Sequence, residues 1–116
     1  MLSGLWALDG LGGTAEAVHM DLSNLTSVRL AAKDVIRRSR NKLHLLVCSA
    51  GVMPSPLGAS YSLTTDGIEL VFGVNHLGHF ALAEALRPAY ALSRVMEPGR
   101  TCGAMLLRLI GWGSHH

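Results

Sequence analysis

The chain has 116 residues, 49% hydrophobic and 16% charged, with a formal net charge of +2. This composition excludes a disordered chain and makes no electrostatic case for a nucleic-acid partner. No run approaches the roughly 18 uninterrupted apolar residues of a membrane span, and no secretory leader pattern opens the chain. A soluble, cytoplasmic protein with no transmembrane segment is expected, or a peripheral one whose anchor lies elsewhere.

Residues 1–16 contain "LDGLGGTAEA", show no clear hydrophobic period, and are expected to form a flexible lead-in to a folded unit over 17–116. Ala17 to Asp21 is a short strand candidate that ends on an acid. Ser23 or Asn24 can cap a helix running to about Arg40, with Val28, Ala32, Val35 and Ile36 on one face. Arg29, Lys33, Arg37, Arg38, Arg40 and Lys42 then read as a solvated helix face. Leu43 to Val47 is a continuous apolar run, as in a parallel strand buried on both faces. Cys48, at its end, reads as a buried free thiol. Cys48 and Cys102 give neither a disulfide framework nor a metal-ligand spacing.

Ser49 to Thr65 carries the prolines, glycines and hydroxyl residues of a loop. Thr65 or Asp66 can cap the next helix, with Glu69 in its first turn. That helix is expected to extend through "GIELVFGVNHLGHFALAEALRPAYAL", with a kink or end at Pro88. A polar connection over 93–104 leads to a third strand candidate, Met105 to Ile110. Strand–helix–strand–helix–strand alternation predicts an α/β fold with a parallel sheet, whose ligands bind beyond the carboxyl ends of the strands. Asp21, "CSAG" (48–51) and "GWGS" (111–114) occupy those places.

The stretch "FGVNHLGHF" (72–80) is apolar apart from Asn75, His76 and His79. Three readings compete: a metal site, a catalytic site, or the hydrogen-bonded interior of a helix. His76 and His79 share a helix face, and His115 and His116 could join them. Glu84 is the one further ligand type nearby in sequence, so a metal is not expected.

Four segments, in this order, resemble the short-chain dehydrogenase/reductase family, and within it the retinol-dehydrogenase-like and WW-domain-oxidoreductase-like branch. They are "MDLSNLTSVR" (20–29), "LHLLVCSAGVM" (43–53), "TTDGIELVFGVNHLGHFAL" (64–82) and, more loosely, "RLIGWGSHH" (108–116). The resemblance implies a partial Rossmann-like, doubly wound parallel sheet of about three strands and two long helices. It implies NAD or NADP as cofactor and a small-molecule alcohol or carbonyl as substrate. Asp21 would accept from the adenine amino group, with the Leu22 backbone beside it. Ala50 and Gly51 would approach the nicotinamide-side ribose. Asn75 matches the family's catalytic asparagine, which interrupts helix hydrogen bonding, and Ser114 matches the serine that orients the substrate oxygen. The helix over 66–86 would lie at a homo-oligomer contact.

The chain also departs from the family. The family's N-N-A-G turn reads Cys48-Ser49-Ala50-Gly51, which removes two amide side chains. The glycines of "LDGLGGTAEA" lack the spacing of the phosphate-binding turn T-G-x-x-x-G-x-G, which seats a pyrophosphate on a helix N-terminus. Tyr61 and Tyr90 are followed four residues on by Thr65 and Arg94, so these 116 residues contain no Tyr-x-x-x-Lys. The expectation is a family fragment without turnover of its own; the alternative is a non-catalytic fragment acting by association with a partner or with itself.

Overall fold

The computed structural model describes residues 16–53, 61–92 and 104–107. In chain order these form helix α1 (Leu25–Arg38), strand β1 (Leu45–Cys48), a helical turn α2 (Leu70–Phe72), a π-helical segment (Gly73–Gly78), helix α3 (His79–Leu92) and strand β2 (Ala104–Leu107). The expected lead-in, apart from Glu16, lies outside the described residues.

α1 begins where its backbone donors are satisfied. Asn24 is extended, and its Oδ1 accepts from the amides of Thr26 (3.0 Å) and Ser27 (3.1 Å). The Asn24 amide donates to the Asp21 carbonyl at 3.2 Å. The remaining donor, the Leu25 amide, is taken by Asp66 Oδ2 at 2.8 Å. All four orphan donors of the first turn therefore have partners. Asp66 does not cap its own helix, as expected from sequence; it caps α1, from 41 residues away. Thr65 reinforces the junction, its hydroxyl donating to the Ser23 carbonyl at 2.9 Å.

α1 stops two residues short of the expected Arg40 because the chain turns there into left-handed backbone. The Asn41 amide reaches back to the Ile36 carbonyl (3.0 Å) and the Arg40 amide to that of Arg37 (3.3 Å). These are the two bonds of a Schellman cap. Arg40, at φ 52°, occupies the position that favours glycine. Arg40→Gly is expected to stabilise the chain by about 0.5–1 kcal/mol, the relief of left-handed strain outweighing the extra unfolded-state freedom. Chemical denaturation of the two chains measures the difference.

Val28, Ala31, Ala32 and Val35 of α1 are buried with Leu82, Leu86 and Ala89 of α3, and Met20, Leu22, Leu43 and Val74 complete the cluster. The opposite face of α1 carries Arg29, Lys33, Arg37 and Arg38 in the open, as expected. Asp34 pairs there with Arg37 and with Arg38 (2.7 Å), and hydrogen bonds from Arg38 and then Arg37 lower its carboxyl pKa.

β1 begins two residues later than the apolar run suggested. The Leu43 side chain is buried, and its amide turns to the Ala89 carbonyl of α3 at 3.5 Å instead of joining a ladder. β1 and β2 pair in parallel, with Leu45 opposite Ala104 and Cys48 opposite Leu107. Leu46 packs against the helical core while Leu45 is 51% exposed, which corrects the expectation of burial on both faces. Cys48 is likewise exposed and not a buried thiol, although partial burial still pushes its pKa up. β2 begins at Ala104, and residues 108–110 of the expected third strand lie outside the described residues.

Ala17 to Asp21 is not a strand. Val18 and Met20 pack on the core, but the backbone makes no ladder with another described segment. The second helical run starts at Leu70 and not near Asp66, because residues 63–69 form a tight turn. Thr64 and Ile68 bond across it at 2.7 Å, Gly67 takes φ 76°, and Leu63 bridges Glu69. α3 passes Pro88 without ending and continues to Leu92. Pro88 lies on the exposed side, where a carbonyl deprived of its helical donor can face water.

Candidate functional site

The expected single helix is interrupted over Gly73–Gly78, the "GVNHLG" of "FGVNHLGHF", by a π-helical segment. Such widened turns place side chains and carbonyls off the regular helical register and recur at functional sites. Two close approaches hold this one. A Cβ on Gly73 would lie 2.5 Å from Thr64 Cγ2, and a Cβ on Gly78 would lie 2.6 Å from the Leu22 carbonyl oxygen. The segment therefore packs against the turn before it on one side and the residue after Asp21 on the other.

Between these glycines, Asn75 grips the backbone of Val52 with both ends of its amide. Oδ1 accepts from the Val52 amide at 2.7 Å, and Nδ2 donates to the Val52 carbonyl at 2.9 Å. An aspartate could make only the first bond, because it has no donor when ionised. The grip draws the preceding turn close: a Cβ on Gly51 would stand 3.1 Å from Asn75 Oδ1. Ala50, half-buried, packs on the core beside it.

Asp21 is exposed, and one of its carboxylate oxygens is already committed. Oδ1 accepts from the Ser23 amide (2.8 Å) and the Ser23 hydroxyl (2.7 Å), which fixes the carboxylate in a turn. The Asp21 amide donates to Ser27 Oγ at 3.0 Å. Leu22 is buried and carries the carbonyl that Gly78 packs against. The π segment thus meets both the 20–22 segment, through Gly78, and the 50–52 segment, through Asn75. Five of the six residues singled out from sequence (Asp21, Leu22, Ala50, Gly51 and Asn75) belong to these connected segments; Ser114 lies outside the described residues.

The histidines have separate local partners. The exposed His76 ring stacks on Phe72, with centroids 5.2 Å apart. His79 Nδ1 lies 3.1 Å from the Asn75 carbonyl oxygen. Among the described residues no group of three or more His, Cys, Asp or Glu side chains is arranged to hold a metal ion.

Sequence reasoning did not find Val52 or Gly78, and it placed Glu69 in the first helical turn, where the structure makes it the cap. Val52 takes part through its backbone, which leaves no side-chain signature. Gly78, an isolated glycine inside an apolar helical run, was a legible sign of close approach. Glu69 is the N-cap of α2, its two carboxylate oxygens accepting from the Val71 (2.9 Å) and Phe72 (2.7 Å) amides. The Phe72 bond first, and then the Val71 bond, holds the Glu69 pKa below the ordinary glutamate value. A folded-state pKa below the unfolded one means that this stabilisation is fully present above the unfolded pKa and is lost as pH falls through the folded value. Fraying of residues 70–72 is therefore expected below the ordinary glutamate range. Amide exchange at Val71 and Phe72 measures it, and Glu69→Gln is expected to flatten the dependence.

The chain is also similar to known proteins over part of its length. The chain is 49% identical over 67 residues to mouse retinol dehydrogenase 12, covering 58% of this chain and 20% of that protein. It is 40% identical over 82 residues to the oxidoreductase calI of Penicillium decumbens, covering 71% of this chain and 22% of that protein. It is 44% identical over 71 residues to the WW domain-containing oxidoreductase of Gallus gallus, covering 61% and 16%. No protein-family model matches the chain, and no solved structure matches it. These relatives are named as oxidoreductases and dehydrogenases. Over the matched residues the chain resembles the short-chain dehydrogenase/reductase family, to which these relatives belong. It spans about a fifth of the length of the curated relatives it matches.

Proposed function

We propose that the chain supplies the adenine-side and nicotinamide-side walls of an NAD(P)-dependent oxidoreductase site that interconverts small-molecule alcohols and carbonyls, acting in the cytoplasm. The observation that carries this reading is the two-point grip of Asn75 on Val52 from within a π-helical segment. In this reading the described residues form part of a Rossmann-like, doubly wound domain over 17–116. Asp21, with one carboxylate oxygen fixed in its turn, accepts from the adenine amino group while the Leu22 backbone lies beside the ring. Ala50 and Gly51 present backbone to the ribose, and Gly51 leaves room for that approach. The nicotinamide, when bound, donates or accepts the hydride. Asn75 holds the turn beneath it, and Ser114 orients the substrate oxygen. Among the described residues no helix is long and apolar enough to cross a membrane.

The 116 residues contain no Tyr-x-x-x-Lys and no phosphate-binding glycine turn, so on their own they are expected to lack the proton donor and the main anion site. General acid/base assistance alone is worth about 10²–10⁴-fold in rate. Two assays test the reading. The purified chain with NADH or NADPH and retinal or an aliphatic aldehyde should show no hydride transfer above background; robust turnover overturns its inactivity in isolation. Residues 20–82 transplanted into the matching segment of a retinol dehydrogenase should give a working enzyme; a folded but inactive product overturns the oxidoreductase reading.

A second reading rests on the exposed aromatic side chains along the second helical run. Phe72 is 54% and Phe80 58% exposed, and His76 lies between them in the open. In this alternative the chain acts by association through the 66–86 region, and sedimentation as a dimer would support it, whereas a compact monomer would count against it.

A further inference from the structure

We propose that His79 is a positioning residue for the Asn75 site: its ring donates from Nδ1 to the Asn75 carbonyl and thereby aims the Asn75 side chain at Val52. The role rests on the oxidoreductase reading only for its functional meaning; the geometry stands without it. His79 is the first residue of α3, immediately after the π segment. Its Nδ1 is 3.1 Å from the Asn75 carbonyl oxygen, four residues back. A carbonyl can only accept, so in the neutral ring the proton must be on Nδ1. The other nitrogen, Nε2, is buried and has no hydrogen-bond partner among the described residues. Turning the ring over would replace Nδ1 by a carbon and abandon the bond, so the contact selects one ring orientation.

The consequence reaches Val52 through covalent geometry. The Asn75 carbonyl and the Asn75 side chain branch from the same Cα. Holding the peptide plane that follows Asn75 therefore restricts the direction in which Cβ and the amide leave the helix. In a widened turn the carbonyls lie off the regular register, and a side-chain donor at the next turn is a direct way to hold one of them. His76 provides an internal control: it is the same residue type, three positions earlier, but it is exposed and stacks on Phe72 instead.

The experiment uses the 116-residue chain, labelled for nuclear magnetic resonance. Imidazole nitrogen shifts of the native chain should show the His79 proton on Nδ1; a proton on Nε2 alone overturns the proposal. His79→Gln places its amide nitrogen further out than Nδ1, whereas His79→Asn keeps a donor near the Nδ1 position. His79→Gln should speed amide exchange at Val52 roughly 2- to 10-fold, the worth of one hydrogen bond. His79→Asn and His76→Gln should leave Val52 near its native rate, and the core amides of Val28 and Val35 should not change in any variant. A common acceleration of all amides, or no change at Val52 in His79→Gln, overturns the role. If His79→Gln does not fold, the native ring spectrum decides alone. None of these readouts requires turnover, so failure here is distinct from failure of the oxidoreductase reading.

Discussion

Replacing Gly78 by alanine is expected to destabilise the chain by about 3 kcal/mol, at the upper end of ordinary overpacking costs. The new methyl would stand 2.6 Å from the Leu22 carbonyl oxygen and 3.0–3.1 Å from Leu22 Cδ2 and Cβ. The first of these atoms is backbone, in a buried residue adjoining the N-terminal cap of α1, and it cannot rotate aside. Relief requires separating the π segment from residues 20–22, which also loosens the Asp21 turn. Urea denaturation gives the stability change. A variant within about 0.5 kcal/mol of the native chain would show that this contact is slack. Gly73→Ala is the instructive partner, because the neighbour at 2.5 Å is the methyl of buried Thr64, which can turn aside only by giving up the bond its hydroxyl accepts from the Ile68 amide.

Asn75→Ala is the second large effect, and it is expected in activity more than in stability. Two hydrogen bonds are lost, but the Asn75 side chain is exposed and water can reach the Val52 amide and carbonyl. The stability cost is therefore about 1–2 kcal/mol, near the net worth of two ordinary bonds. Loss of the grip frees the Gly51–Val52 turn to move, and a displacement of about 1 Å at a reacting centre can cost about 100-fold in rate. In the retinol dehydrogenase carrying residues 20–82, Asn75→Ala should lower kcat by about that factor. Asn75→Asp should also fail, since a carboxylate meets the Val52 carbonyl without a donor. Equal activity of both variants and the parent would remove Asn75 from the mechanism.

What could be read from the sequence was what a single segment determines. The spacing of Val28, Ala32 and Val35 gave the buried face of α1, and Asn24 was a capping residue within one turn of its donors. Asn75 drew attention because an amide in an apolar helix must find partners. The cap that Asp66 provides could not be read, since its donor is 41 residues away and its own helix offered a nearer alternative. Nor could the π segment: the apolar period of "FGVNHLGHF" fits an ordinary helix, and the widening depends on contacts that Thr64 and Leu22 supply. The Ala17–Asp21 strand failed because apolar content secures burial of Met20, whereas a strand also needs a backbone partner. Pro88 does not end α3, since a missing amide can be accommodated on an exposed helix face.

In the proposed function the π segment holds residues 20–22 and 50–52 together as the cofactor-facing walls of one site. Amide shifts of the labelled chain during titration with NADH and NADPH, up to millimolar concentrations, test it most directly. The expected result is perturbation concentrated at Leu22, Ala50, Gly51 and Val52, weakened together by Asn75→Ala. Perturbation confined to the basic face of α1, around Arg29, Lys33 and Arg37, or no perturbation at any residue, would contradict the claim.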